Sequence, residues 1–489
     1  MRVTLAALAA LLLVLAVPGT ASASRRTQVS FMDDQLLLAA KSDAAVERHM
    51  KRIKALGVDR LRVSAFWADH VAGKNSQTRP NFNAADPNAS AYDWTTLDRV
   101  LNIAAAHGLQ IMVTISTPAP AWATRGVSDP PGLWRPRPDE FALFGEAVAR
   151  RYGAIVDRYG LGNEPNWPGW LQPQRDRAGR LYAPHLYRQI VELTYPRLKA
   201  VDPDAQILLG ETAPYGNRGG GGRLRSISPL SFHRALACRY GRKLRRMRRG
   251  YCRGFKPVVG DGIGTHPYSL FSPPNQRSHR NENDAGFGDL PKFIRGVDRI
   301  TRTGALRPRS GRRFGFYLTE YGYQTDPPDP FSGVPLRRHN RYLQQAAFIA
   351  WRNPRIHEIN QFRLTDGPIR PELPGLRRFI EFQSGLRFRD FKGKPANETF
   401  PHPIWVSNSR PRRGRRIGIW GQVRRGEGHF VSIQFSPRHG GPYRTLLRHP
   451  TTSRGYFFTR VRGRNGFFRY RYDDGPSGKS MVFRVKPRR

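Results

Sequence analysis

The chain has 489 residues, of which 39% are hydrophobic and 11% aromatic, so it is long enough to bury one large core and a smaller one. Lysine and arginine total 82 against 37 aspartate and glutamate, a formal net charge of +45. Such a surface should bind polyanions at low salt, such as acidic polysaccharides, an anionic cell envelope or, in vitro, nucleic acid. The basic residues form no recognition helix, which argues against specific nucleic-acid binding. The alternative interpretation is a solvated surface without a partner.

Residues 1–23 have the pattern of a secretory signal peptide. Arg2 supplies a positive start, Leu5 to Val17 an apolar segment, and Ala21-Ser22-Ala23 a cleavage site. The apolar segment is shorter than the ~20 residues that a membrane-spanning helix needs, and Pro18-Gly19 interrupts it. We therefore expect an exported, extracellular protein, with an uncleaved membrane anchor as the alternative.

The cysteine content agrees with export. The chain contains only Cys238 and Cys252, and in an oxidising compartment we expect them to form a disulfide. Closing so short a loop would be worth roughly 3 kcal/mol in the chain-entropy model. A zinc site is the alternative, but the clustered Cys and His spacing that zinc needs does not occur around them.

Strand-like and helix-like segments alternate along the next part of the chain. We expect strands at 29–31, 59–67, 109–115, 155–159, 206–210, 262–268, 314–320 and 358–363, with helices at about 44–56, 97–104, 138–151, 184–201, 290–302 and 336–351. Eight such repeats predict an α/β fold, a (β/α)8 TIM barrel with long loops. We assign it residues 24–402.

The pattern changes after residue 402. Short strands with alternating apolar residues are predicted near 417–421, 430–435, 455–458 and 467–472, separated by Gly, Pro and Ser turns. We assign residues 403–489 to a small antiparallel β-sandwich. Its alternating aromatics are mostly predicted core, which favours an accessory role, although carbohydrate binding stays open.

Two glutamates end two of the predicted barrel strands. Glu164 follows the fourth strand across a turn loosened by glycines, and Glu320 ends the seventh. A buried carboxylate is costly unless it is used or paired, and active sites of barrels gather at the carboxyl ends of the strands. Two such carboxylates among aromatics match what glycoside hydrolysis requires.

Each glutamate also has a simpler explanation. A single carboxylate at a strand end is commonly a salt-bridge partner, and Arg158 or Arg363 could serve. Glu211, after the fifth strand, is a competing carboxylate that we interpret as loop structure or a substrate contact. The ordered pair is more specific than either glutamate alone.

The motifs Asn163-Glu164-Pro165, His266-Pro267-Tyr268 and Thr319-Glu320-Tyr321-Gly322 resemble those of glycoside hydrolase clan A, nearest to family 5 cellulase-like and family 39 enzymes. The resemblance covers about residues 28–402, including the segment 384–395, which is similar to the stretch that closes such barrels. It implies a retaining β-glycosidase or glycanase acting on β-linked oligo- or polysaccharides.

The resemblance also implies the roles of individual residues. Glu164 would be the general acid/base and Glu320 the nucleophile. Arg62 and Tyr268 would keep Glu320 ionised, and the negative charge of Glu320 would help Glu164 to hold its proton. Asn163 would bond the sugar 2-hydroxyl. His266 is a further substrate-site candidate, or else a satisfied buried histidine.

Aromatic residues lie in the loops predicted at the catalytic face, where flat indoles suit the apolar faces of sugars. The candidates for substrate contact are Trp67, Trp122 and Trp167, with loop core as the alternative. The clan usually carries a tryptophan at the end of strand eight. Here Phe362 stands near that place. The two alternatives are that Phe362 substitutes for the tryptophan or that Arg363 contacts an acidic sugar, so the identity of the sugar stays open.

We predict no catalytic metal and no cofactor, since no H-E-x-x-H or comparable ligand cluster occurs. The predicted partner is a β-linked glycan, which the basic surface allows to be anionic, and a cell-envelope polyanion is a second one. The alternative function is a catalytically silent barrel that serves as a carbohydrate- or polyanion-binding envelope protein.

Overall fold

The computed structural model describes residues 27–217, 222–278, 281–424, 428–472 and 478–488. The segment interpreted as a signal peptide, 1–23, lies outside these ranges, so the expectations of cleavage and export stay predictions. Within the described ranges, no helix combines the length and the apolar character that crossing a bilayer requires.

Eight parallel strands close into a barrel, which confirms the predicted fold class. Each strand pairs with its neighbours in the sequence, and the eighth closes on the first through register pairs such as Ser30 with Asn360. The strands are β1 (Gln28–Met32), β2 (Arg60–Phe66), β3 (Gln110–Ser116), β4 (Arg158–Leu161), β5 (Gln206–Thr212), β6 (Gly262–Thr265), β7 (Gly315–Leu318) and β8 (Ile356–Phe362).

Helices pack around the barrel and bury the large apolar core between the two layers. The longer ones are α1 (Asp43–Lys54), α2 (Thr95–Ala106), α3 (Pro138–Tyr152), α4 (Ala183–Val201), α5 (Pro229–Leu236), α6 (Leu290–Thr301) and α7 (Leu336–Arg352). Ser42 caps α1 by accepting a bond from the Ala45 N–H. Pro138 opens α3, where its missing N–H costs nothing.

The fourth strand begins later than predicted. Residues 155–157 are not part of it, because the N–H groups of Ile155 and Val156 bond to the Tyr152 carbonyl and close the end of α3. Pairing starts at Arg158, opposite Met112 and Gln206. Gly160 therefore lies inside the strand, and the turn begins at Gly162, whose φ is +77°.

The interior of the barrel is polar at two levels. Near the amino ends of the strands, Arg158 pairs with Glu358, and Arg60 pairs with Asp157. Met112, Leu208 and Tyr317 form a small apolar layer of their own. Arg62, one interior position further along β2 than Arg60, carries a second charged group toward the carboxyl ends of the strands.

Two antiparallel sheets follow the barrel, as predicted. One has the order β9 (Ile404–Val406), β10 (Arg416–Gln422), β13 (Tyr456–Arg462). The other has the order β12 (Arg444–Pro450), β11 (Phe430–Ser436), β14 (Gly466–Tyr472), β15 (Phe483–Val485). Their facing side chains form a separate core, in which the alternate aromatics of β14 are buried.

The sandwich packs along α7, where the Ile404 N–H donates a hydrogen bond of 2.9 Å to Gln344, and against the amino ends of the barrel strands. Tyr456 donates a hydrogen bond of 2.9 Å to the carbonyl of Thr27, just before β1. Arg454 lies 3.4 Å from Asp59, just before β2. An aromatic cluster built around Trp351 of α7 and Trp420 of β10 completes the contact.

Cys238 and Cys252 form the expected disulfide. It closes the loop after α5, a segment rich in arginine whose side chains mostly face solvent. The disulfide therefore holds together the two ends of a segment whose positive charges repel one another.

Candidate active site

Glu164 and Glu320 meet at the carboxyl end of the barrel. Glu164 lies three residues beyond β4, and Glu320 two residues beyond β7. Both side chains are buried at the floor of this end. One carboxylate oxygen of each lies within 4.8 Å of the other and of a ring nitrogen of His266.

The two carboxylates have different partners. Arg62 donates a hydrogen bond of 2.8 Å to Oε1 of Glu320, and the Tyr268 hydroxyl donates one of 2.9 Å to Oε2. Glu164 instead bonds Nδ1 of His266 at 2.9 Å, through Oε1. Glu320 thus has a cation and a hydroxyl donor, whereas Glu164 has a neutral ring.

These partners push the two protonation states apart. Burial and then the charge of Glu320 raise the pKa of Glu164 well above its usual value. Burial also raises the pKa of Glu320, but Arg62 and the Tyr268 hydroxyl offset part of this rise. Since the two groups titrate together, the first proton lost from the pair leaves Glu320 ionised and Glu164 protonated.

The residues around this pair stay in fixed protonation states. Burial, assisted by the charge of Arg62, lowers the pKa of His266 well below its usual value, so the imidazole is neutral. Burial and the charge of Glu320 raise the pKa of Tyr268 well above its usual value, which keeps its hydroxyl a donor. Asn163 accepts a bond of 2.9 Å from Arg62, which fixes its amide orientation.

A third carboxylate, Glu211, reaches the same group from β5. It is fully buried and accepts a hydrogen bond of 2.7 Å from Arg62. Our expectation that Glu211 is a loop residue or a substrate contact is therefore wrong. The ladder between β5 and β6 shifts between Gly210 and Thr212, and Glu211 in that bulge has a φ of +42°. A bulge re-aims a side chain, here into the barrel.

Neither of the arginines proposed as simple salt-bridge partners contacts the two glutamates. Arg158 pairs with Glu358 at the opposite end of the barrel. Arg363 extends toward Asp33 and Gln35 and donates to the Thr365 carbonyl. It is buried in that network, so it does not reach toward a sugar.

Two of the three candidate tryptophans belong to the loop core. Trp67 is 1% exposed and packs against Phe141, Phe144 and Trp122. Trp122 is 6% exposed in the same cluster. The prediction that these indoles bind substrate is therefore corrected, because the cluster leaves them almost no surface.

The other two aromatic candidates keep an exposed surface. Trp167 is 42% exposed and lies three residues after Glu164 in the chain. Phe362 is partly buried and meets Tyr268 edge to face, with ring centroids 6.2 Å apart. Their assignment to substrate stays a prediction.

Glu164, His266 and Glu320 also have the donor spacing of a metal site. Both oxygens of Glu320 already accept bonds, and Arg62 places a positive charge beside them that would repel a divalent ion. His185, Cys238 and Cys252 have similar spacing, but the disulfide removes the thiolates. Neither group fits a metal well.

A scan against models of protein families and a search of curated proteins find no match. Solved structures with similarity include GH5_18 from Streptomyces cattleya in complex with GlcNAc, at 15% identity and TM-score 0.48, covering 77% of this chain and 79% of that one. A glucosidase from Croceicoccus marinus has 12% identity and TM-score 0.46, covering 84% and 89%. The β-glycosidase from the hyperthermophile Thermosphaera aggregans has 12% identity and TM-score 0.47, covering 77% and 95%.

Proposed function

We propose that the chain is a retaining glycoside hydrolase that cleaves β-linked sugars through a covalent intermediate on Glu320. The observation that carries this proposal is the short separation of two carboxylates with opposite environments. Retaining enzymes hold their two carboxyl groups ~5–5.5 Å apart, whereas inverting enzymes leave room for a water at ~6.5–9.5 Å.

In the first step, protonated Glu164 donates its proton to the oxygen of the leaving group. The ionised carboxylate of Glu320 attacks the anomeric carbon as the bond to that oxygen breaks, which forms a glycosyl ester. Arg62 and Tyr268 hold the attacking carboxylate in one orientation, so little reorganisation precedes the attack. Asn163 lies beside the pair, where the resemblance places a contact to the sugar 2-hydroxyl.

In the second step, Glu164 is ionised and takes a proton from water. The water oxygen attacks the anomeric carbon from the face that the leaving group vacated, and the ester bond to Glu320 breaks. Two inversions restore the starting configuration. His266 stays neutral throughout and orients Glu164 through Nδ1.

The proposal is tested by proton NMR of the first sugar product released from aryl β-glycosides and soluble β-glycans. Manβ1-4GlcNAc and salicin belong in the panel, since they occur in complexes of similar structures. We expect the β-anomer to appear before mutarotation, with the same activity after treatment with a chelator. An α-anomer, or a folded protein inert on every substrate, would contradict the proposal and favour a silent binding barrel.

Replacing Tyr268 with phenylalanine should shift the acidic limb of the kcat/KM profile to higher pH. The hydroxyl bonds the charged form of Glu320, so its loss raises the pKa of that carboxyl. A hydrogen bond to a charged group is worth ~1.5–3 kcal/mol, so we expect kcat/KM to fall about 10- to 100-fold. An unshifted limb would show that Tyr268 does not tune the nucleophile.

We also propose that the protein acts outside the cell and that its sandwich binds an anionic polymer. Residues 403–489 contain 21 lysines and arginines against 3 acidic residues, whereas the preceding 402 residues contain 61 against 34. No aspartate or glutamate falls in the described parts of this range, 403–424, 428–472 and 478–488. The pairings Ser432–Arg448, Ser432–Arg471 and Phe467–Arg484 place three arginines on one face of the four-stranded sheet.

Binding to an immobilised acidic polysaccharide, followed over a salt gradient, tests this second proposal. Changing Arg448, Arg471 and Arg484 together to glutamine should lower the salt concentration at elution. The same change at Arg295, Arg299 and Arg302, exposed residues of α6 and its end, is the charge-matched control. Equal effects of the two triples would mean that net charge alone, rather than this face, causes retention.

A further inference from the structure

Glu211 ties together the groups that surround the two catalytic carboxylates. Arg62 donates a hydrogen bond of 2.7 Å to the Glu211 carboxylate through one terminal nitrogen, and one of 2.8 Å to Glu320 through the other. Its backbone carbonyl accepts a bond of 3.1 Å from the N–H of Glu164. One residue of β5 therefore contacts both the arginine that holds Glu320 and the backbone that carries Glu164.

The strands beside Glu211 have glycine where a side chain would displace it. A Cβ at Gly160 of β4 would lie 2.0 Å from Oε1 of Glu211, and one at Gly264 of β6 would lie 2.6 Å from its Cγ. Thr114 of β3 adds a hydroxyl that lies 3.1 Å from Oε2 of Glu211 and 3.0 Å from Nε of Arg62. The barrel is thus shaped around this carboxylate on both sides.

We propose that Glu211 is a positioning residue whose buried carboxylate and bulged backbone set the geometry and the working pH of Glu164 and Glu320. The inference rests on the proposed function, because it assigns Glu211 to the same reaction. Glu211 does not touch the substrate in this scheme, since it is fully buried behind Arg62.

The direction of the pH effect follows from the charges that face this group. They are Arg62 from β2, Glu164 after β4, Glu320 after β7 and, more distantly, Asp34 and Glu358, with neutral His266 4.0 Å away. The charge of Glu211 raises the pKa of both Glu164 and Glu320. Removing that charge should lower both, so the whole bell-shaped profile should move to lower pH.

The test compares Glu211→Gln with Glu211→Asp and with Glu358→Gln. Glu358 is an equally buried, arginine-paired glutamate at the opposite end of the barrel, so its variant controls for general destabilisation. We expect Glu211→Gln to lower kcat/KM about 100-fold and to shift both limbs by roughly one pH unit. Glu211→Asp, which keeps the charge, should keep the limbs in place, as should Glu358→Gln.

Carbon-13 NMR titration of the glutamate carboxyls gives a readout that needs no substrate. The carboxyl signals of Glu164 and Glu320 are assigned by their loss in the variants Glu164→Gln and Glu320→Gln. Unchanged titrations in folded Glu211→Gln would overturn the inference even if hydrolysis by the parent protein is established. Shifted titrations in a protein that hydrolyses nothing would retain the electrostatic coupling but reject the proposed function.

A second pair of variants applies if Glu211→Gln does not fold. Gly160→Ala inserts a methyl group against the Glu211 carboxylate, whereas Gly262→Ala inserts one against Tyr317 and Leu208, at 2.5 Å and 2.7 Å, without touching Glu211. Both are interior barrel glycines. We expect only Gly160→Ala to move the titrations of Glu164 and Glu320, and equal behaviour of the two variants would overturn the inference.

Discussion

Replacing Glu320 with glycine should abolish hydrolysis, with kcat reduced by roughly 10⁴-fold or more. The substitution removes the proposed nucleophile while Arg62 and Tyr268 stay in position. Glu164→Gly should lower kcat about 10²–10⁴-fold for leaving groups that need protonation. With an activated leaving group such as dinitrophenolate, its first step should be nearly normal. Circular dichroism of both variants checks that they are folded.

Azide then distinguishes the two roles by stereochemistry. In the Glu320 variant, azide can occupy the vacated space and attack from the nucleophile's face, so the product should be an inverted glycosyl azide. In the Glu164 variant, azide replaces water in the second step, so its product should keep the β-configuration. The reverse assignment of products would exchange the roles of the two residues, and no rescue of either would argue against the covalent mechanism.

Replacing Arg62 with leucine should lower the free energy of unfolding by about 3–5 kcal/mol at neutral pH. The fully buried guanidinium pairs with both Glu211 and Glu320, so its loss leaves two carboxylates without a counter-charge. Urea unfolding measures the change. Exposed Arg370, paired with Glu381, is the control, and its replacement by leucine should cost less than about 1 kcal/mol.

The loss in the Arg62 variant should also depend on pH. Without Arg62, the pKa values of Glu211 and Glu320 lie further above those of the unfolded chain. A carboxyl group whose pKa is higher in the folded protein destabilises the fold at pH values above its pKa in the unfolded chain, ~4.3. As the pH falls toward that value, the carboxyl groups of the folded protein become protonated and the destabilisation disappears. The difference from the parent protein should therefore shrink from pH 7 toward pH 4. A constant difference would assign the loss to packing alone.

The strand and helix periodicities were sufficient to predict the barrel, and Glu164 and Glu320 follow from their places at strand ends. Glu211 could not be placed in this way, because a bulge at residue 211 breaks the two-residue alternation that tells inside from outside. The alternation of Arg60, Arg62 and Ser64 along β2 was a usable sign of a polar interior. Trp67 and Trp122 were misassigned because sequence does not show whether an indole in a loop packs against other rings.

The separation of the sandwich contacts from the two glutamates affects how the protein would work at a solid surface. Tyr456 and Arg454 attach the sandwich to residues just before β1 and β2, while the glutamates lie beyond the other ends of the strands. These contacts leave the loops that carry the glutamates uncovered by the sandwich. A molecule adsorbed through its sandwich would therefore keep this end of the barrel accessible to soluble chains.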